Sequence, residues 1–163
     1  MELSDKQIRK RIWQGSIPVK FSLASSEITS LQDPGPYFAL IPRGSYFTLF
    51  NEKLREYFKD AIAPIADSEV WYSFQDTPLK WHYPAGVLFD VLSVADALPW
   101  AITVHFQAFP ASEVLRCPDV DTIKAHYTNV LKEANYLKHG DGNRVNALSL
   151  EDSNNIWLGL QNH

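Results

Sequence analysis

A segment of alternating hydrophobicity and a short continuous apolar run flank the link Asp33-Pro34-Gly35-Pro36, and that arrangement limits the fold more than any other part of the 163-residue chain. Before the link, Ile17, Val19, Phe21 and Leu23 alternate with Pro18, Lys20 and Ser22, the period of a half-buried strand whose early proline suits an edge or first position. After it, Tyr37 to Ile41 reads as a second strand. Two prolines and a glycine leave no room for a helix between them, so the strands are expected to pair as a long-looped hairpin. Sheets that need a helix directly after the first strand, the ferredoxin-like ones among them, are excluded.

The remaining elements follow from periodicity. Ser4 with Gln7 is a capping-box pattern, and it opens a short basic helix with Ile8 and Ile12 on one face, ending at Gly15. From Ser45 to Ala63, Phe50, Leu54, Tyr57, Phe58, Ala61 and Ile62 recur at helical spacing, which predicts the main helix. Strands are expected at Glu69–Phe74, Pro78–His82 and Ala101–Gln107, with a short apolar helix opened by Pro84 and running to Leu92. A hairpin, a helix and further strands packed on that helix is the order of a β-grasp, or ubiquitin-like, domain, an α+β class. Beyond Cys117-Pro118 helix formers take over. Ile123, Tyr127, Val130, Leu131, Ala134 and Leu137 form an apolar stripe from the cap Asp119 to Gly140, and a last helix after Ser149 carries Ile156, Trp157 and Leu160. The expected organisation is an N-terminal helix over 1–15, a β-grasp domain over 16–110 and a helix-rich region over 111–163.

Composition narrows the function. A formal net charge of -4 and no basic stripe argue against a nucleic-acid surface. The lone Cys117 allows neither an intrachain disulfide nor a cysteine-based zinc cluster, which fits a reducing, intracellular compartment. No signal region and no run of about 18 apolar residues is present, so the chain reads as soluble unless something recruits it. Histidines 82, 105, 126, 139 and 163 lack metal-ligand spacing, and neither a metal nor a cofactor is expected. Lys132 lies nine residues after Ile123, about 900° around the helix and hence opposite the stripe, where its amine is open to a large partner. Lys138 lies about 60° from the same reference and is the poorer candidate. On geometry alone, solvated decoration is the ordinary reading of such a lysine.

The residues themselves resemble one family over nearly the whole length. Trp13-Gln14-Gly15-Ser16-Ile17-Pro18, Pro42-Arg43 with Ser45-Tyr46, Thr77-Pro78-Leu79-Lys80-Trp81-His82-Tyr83-Pro84, Leu98-Pro99-Trp100, Lys132-Glu133-Ala134 and Gly159-Leu160-Gln161-Asn162 are similar to the autophagy protein 5 family. The resemblance implies an N-terminal helix, a first ubiquitin-like domain, a helix-rich region and a second ubiquitin-like domain. This chain ends inside or just after the helical region, as a truncated, short or divergent form would. It also implies that Lys132, directly before Glu133-Ala134, is the acceptor of an isopeptide bond from the C-terminal glycine of autophagy protein 12. In that scheme autophagy protein 7 activates the modifier, and the thioester belongs to autophagy protein 10. The chain supplies a nucleophile and no catalytic side chain of its own. Only a neutral amine attacks a thioester, and a free lysine with pKa about 10.4 is almost wholly protonated at pH 7, so docking is expected to desolvate Lys132 and favour its neutral form.

By the same resemblance the conjugate binds a helix of autophagy protein 16, with Trp13, Arg43 and Tyr46 near that site. The assembly then helps autophagy protein 3 transfer autophagy protein 8 to phosphatidylethanolamine, a role in the cytoplasm with recruitment to preautophagosomal membranes. Two other readings are a non-covalent adaptor whose Lys132 is never modified, and a small hydrolase using His82 or His105 with Asp90. If a second domain is missing, apolar surface near Trp157 is expected to be uncovered and to drive self-association.

Overall fold

The computed structural model describes residues 4–64, 69–93 and 98–161. It divides into two compact units, residues 1–116 and 117–163. In the first, α1 (Asp5–Trp13) begins with the reciprocal Ser4–Gln7 contact, the Ser4 amide donating to Gln7 Oε1 at 3.0 Å. The chain then forms β1 (Ser16–Leu23), β2 (Tyr37–Pro42), α2 (Asn51–Phe58), β3 (Trp71–Phe74), β4 (Thr77–Pro78), α3 (Ala85–Leu92) and β5 (Trp100–His105). The sheet order is β2-β1-β5-β3-β4, with β1 parallel to β5 and the other neighbours antiparallel. This is the β-grasp arrangement that the element order predicts.

The alternation in β1 is realised: Ile17, Val19, Phe21 and Leu23 are buried and Pro18, Lys20 and Ser22 are only half-covered. They meet Leu54 and Phe58 of α2, and the rings of Phe21, Phe47, Tyr72 and Trp100 pack with centroids 5.6 to 6.0 Å apart. Side chains that bury this much ring area dominate a core of this size.

Two elements depart from expectation. The main helix is shorter than Ser45–Ala63, because Phe47–Phe50 forms a tight 3-10 turn first and the α-helix closes at Phe58. Its end is fixed by the loop after β1: Thr29 donates to the Ala61 carbonyl through its amide at 2.8 Å and its hydroxyl at 3.2 Å. The fourth strand is Thr77–Pro78 and does not extend to His82. Leu79 still donates to the Tyr72 carbonyl at 2.8 Å, but the Trp81 indole then donates to the Leu115 carbonyl at 2.8 Å, which draws the chain off the sheet and leaves Tyr83 exposed. The N-terminal helix forms where expected, and its Ile8 and Ile12 are exposed.

A buried polar cluster closes the end of β5. Glu27 accepts from the Phe106 amide at 2.7 Å and the Gln107 amide at 3.3 Å, and His105 lies 3.7 Å from the same carboxylate. The imidazole stacks on Trp71 with centroids 3.8 Å apart and shares a 2.9 Å hydrogen bond with Ser73 Oγ. Burial lowers the His105 pKa from its ordinary 6.5, against a smaller upward pull from Asp76. Burial raises that of Glu27 above 4.5, opposed by its two amide donors. The folded chain therefore holds fewer protons at His105 than the unfolded chain does, so this group's contribution to stability is lost as pH falls through 6.5. Glu27 has the opposite sign, its protonation favouring the fold as pH falls. Urea unfolding at pH of about 7 and about 5.5 tests the histidine: a His105→Gln variant is expected to lose less stability on acidification than the parent.

Candidate functional site

In the first unit a cleft of about 340 Å³ is lined by Ile12 and Trp13 of α1, Arg43, and Gly86, Val87 and Asp90 of α3. Arg43 follows the end of β2, where its amide donates to the Gly15 carbonyl at 2.9 Å. Its guanidinium donates to the Asp90 carboxylate, which fixes the arginine on the cleft wall. Gly86 permits this arrangement, since its amide donates to the Arg43 carbonyl at 2.8 Å and an added Cβ would lie 2.8 Å from that oxygen. Trp13 and Arg43 thus line one cleft. Tyr46 does not join them on the surface. It is 1% exposed, packed beneath the turn that leads into α2, so its side chain has no open face to offer a partner.

In the second unit α4 (Val120–His139) is followed by α5 (Asn143–Asn146) and α6 (Leu150–Gln161). Asp119 caps α4, accepting from the Thr122 amide and hydroxyl at 2.7 Å each, and the hydroxyl followed by the amide is what lowers its pKa. Gly140 ends the helix in the left-handed conformation at φ 76°. Tyr127 packs on Trp157 at 6.1 Å between ring centroids, and Lys124 donates to Asn154 Oδ1 at 2.8 Å. Trp157 itself is buried, because α6 folds back on α4, while Ile156 and Leu158 on either side of it stay exposed, the open apolar surface expected near this residue. Other apolar residues of this unit are uncovered as well. The α4 stripe is half-open, with Leu137 85% exposed, so its last turns bury nothing.

Lys132 is exposed, on the side of α4 away from Ile123. It borders a hollow of about 670 Å³ with Glu133, Tyr136, Leu137 and Asn146, and a smaller one of about 210 Å³ that reaches Tyr127 and Ile156. Among the described residues its ammonium has no hydrogen bond or ion pair, whereas Lys124 is held by Asn154.

The hydrolase constellation is not assembled. Asp90 is engaged by Arg43, while His105 faces Ser73 and Glu27. Ser73 and His105 are hydrogen-bonded and Glu27 lies 3.7 Å beyond the imidazole, too far for a hydrogen bond; Ser73 is 3% exposed and both Glu27 oxygens hold backbone amides. That cluster is a pin between strands. Among the described residues no group of three His, Cys, Asp or Glu is placed to hold a metal, and no helix is long and apolar enough to cross a membrane.

A family model described as "Autophagy protein ATG5, UblA domain" matches residues 12–106, and a second, for the alpha-helical bundle region of the same protein, matches residues 120–163. The chain belongs to the autophagy protein 5 family. Autophagy protein 5 of Drosophila melanogaster is 39% identical over 160 residues, covering 97% of this chain and 59% of the relative. The Arabidopsis thaliana protein is 36% identical over 157 residues, covering 96% of this chain and 46% of the relative. This chain spans about half the length of these relatives. The crystal structure of Kluyveromyces marxianus Atg5 superposes with a TM-score of 0.83 at 21% identity, over 96% of this chain and 63% of that one, a likeness of fold.

The family resemblance singled out Arg43 but not its partner, since 47 residues separate it from Asp90. Gly86 and Val87 were equally hidden, because their role depends on where α3 docks. Substituting Gly86→Ala is expected to lower the free energy of unfolding by roughly 1–3 kcal/mol in urea titration, as the new methyl meets backbone that cannot yield.

Proposed function

We propose that the protein is an autophagy scaffold and conjugation acceptor, joined through Lys132 to the C-terminal glycine of autophagy protein 12. The observation that carries this reading is the state of Lys132: exposed, in the middle of a helix capped at both ends, and unpaired among the described residues. Such an amine can be presented to a thioester without first breaking an interaction of its own. In this reaction the amine nitrogen attacks the thioester carbonyl, the amide bond forms, the thiolate leaves on the conjugating enzyme, and the amine releases a proton to solvent. The protein contributes the nucleophile and its placement. Membership of the family supports the assignment, because Lys132-Glu133-Ala134 matches the family's acceptor motif.

The cleft at Trp13, Arg43 and Val87 supports the second half of the proposal, the docking of an autophagy protein 16 helix. Its walls combine apolar side chains with the Arg43–Asp90 pair at the rim, the chemistry of an amphipathic helix site. The resulting assembly would act with autophagy protein 3 to promote transfer of autophagy protein 8 to phosphatidylethanolamine, recruited from the cytoplasm to preautophagosomal membranes. A non-covalent adaptor is the alternative that this cleft would serve without Lys132.

Co-expression with autophagy proteins 12, 7 and 10 followed by branched-peptide mapping tests the acceptor. A branched peptide at Lys132 that disappears in Lys132→Arg is the expected result. An unmodified chain, with the same partners active on a full-length acceptor, would leave the adaptor. For the cleft, Val87→Glu touches no ion pair and is expected to weaken binding of the autophagy protein 16 helix at least about tenfold by calorimetry, with the Lys132 adduct unchanged.

A further inference from the structure

The register of β2 fixes which of its backbone groups are free. β1 and β2 pair Ser16 with Pro42 through Phe21 with Tyr37, and just beyond that register the Arg43 amide donates to Gly15. Closely bonded pairs alternate along an antiparallel ladder, so Tyr37, Ala39 and Ile41 turn their backbone groups to β1, and Phe38 and Leu40 turn theirs away. Pro18, opposite Leu40, has no amide hydrogen to give, which agrees with this parity. β2 is also an outer strand of the sheet. Among the described residues the amides and carbonyls of Phe38 and Leu40 meet no partner, while the Pro42 carbonyl is taken by Ser45 at 3.0 Å.

The side chains of the same two residues lie on the sheet face that α2 does not cover, 60% and 69% exposed. Natural edge strands are usually blunted by charge, yet Tyr37–Pro42 carries none. The neighbouring row supplies one charge of one sign. Lys20 stands directly across from Phe38, and among the residues of β1, β2 and β5 on this face it is the one lysine, arginine or carboxylate.

We infer that the β2 edge is a docking site for an extended acidic peptide, which adds to the sheet as a sixth strand. Its backbone satisfies the four outward groups of Phe38 and Leu40, alternate apolar side chains cover those two residues, and a carboxylate on the same face meets Lys20. Charge complementarity decides against a second copy of the chain, which would bring another uncharged strand and another lysine. So does area, since two six-residue strands would bury on the order of 600 Å², about half of what stable complexes start from.

NMR titration of the full chain with acetyl-Thr-Val-Thr-Leu-Thr-Glu-Thr-amide tests the inference. The expected result is a dissociation constant of roughly 0.1 mM, with shifts centred on the Phe38 and Leu40 amides and slowed exchange of both. Leu40→Pro removes an outward amide while sparing the ladder to β1, and should weaken binding at least about tenfold. Lys20→Glu should reverse the preference in favour of the same peptide with lysine in place of glutamate. Absence of binding at ~1 mM peptide, shifts centred elsewhere, or affinity unchanged in both variants would overturn the inference. Shifts of the Phe38 and Leu40 amides with protein concentration alone would overturn it in favour of self-pairing.

Discussion

The parallel pairing of β1 with β5 is the contact on which the first unit depends. β5 stands between two antiparallel hairpins, β1–β2 on one side and β3–β4 on the other, and joins them into one sheet. Val19 to Leu23 pair with Trp100 to Val104, and the Ala24 amide continues the ladder to the Val104 carbonyl at 2.9 Å. The core faces of the same strands carry Phe21, Trp100, Ile102 and Val104, all almost wholly buried, so hydrogen bonding and apolar burial reinforce each other there. Glu27 secures the exit from β5 by holding two amides that no neighbouring strand reaches. An unpaired buried amide would otherwise cost about 1–3 kcal/mol.

The two candidate surfaces are rigid for different reasons. In the cleft, Arg43 is confined by close approach: its side chain lies against Gly15, its carbonyl against Gly86, and its guanidinium against Asp90. Little rotamer freedom is left to lose when a partner arrives. Lys132 is positioned by the helix beneath it, which has an acidic cap at one end and a left-handed glycine at the other, while its own side chain stays free. Among the described residues the arginine is held at three points, whereas the Lys132 amine has no hydrogen bond or ion pair.

Much of the fold was legible in the residues. The alternation of β1 and β5, the Ser4 and Asp119 caps and the Gly140 stop all carry local signals, and each element formed where its signal lay. Signals failed where tertiary contacts overrode the local pattern. Leu79, Trp81 and Tyr83 alternate like a strand, yet an indole bond to Leu115 takes the segment off the sheet. Leu137 has the spacing of a core residue and stands in solvent. Tyr46 sits in a family motif and is buried. The exposure of Lys132 was readable because helical phase alone decides it, whereas the Arg43–Asp90 pair and the Ser73–His105–Glu27 pin join residues distant in sequence, which no local period reports.

Placing the last strand at the centre of the sheet has a consequence for synthesis. Val19 has to wait for Trp100 before its inner edge is paired, so a chain leaving the ribosome holds two hairpins with open sides until 81 further residues have been added. Such long-range closure is slow, and unpaired strand sides are the surfaces on which nascent chains aggregate. Lys20 and Pro18 on β1 lie on that waiting strand, and a charge and a missing amide there make it a poor template for a wrong neighbour before the right one arrives.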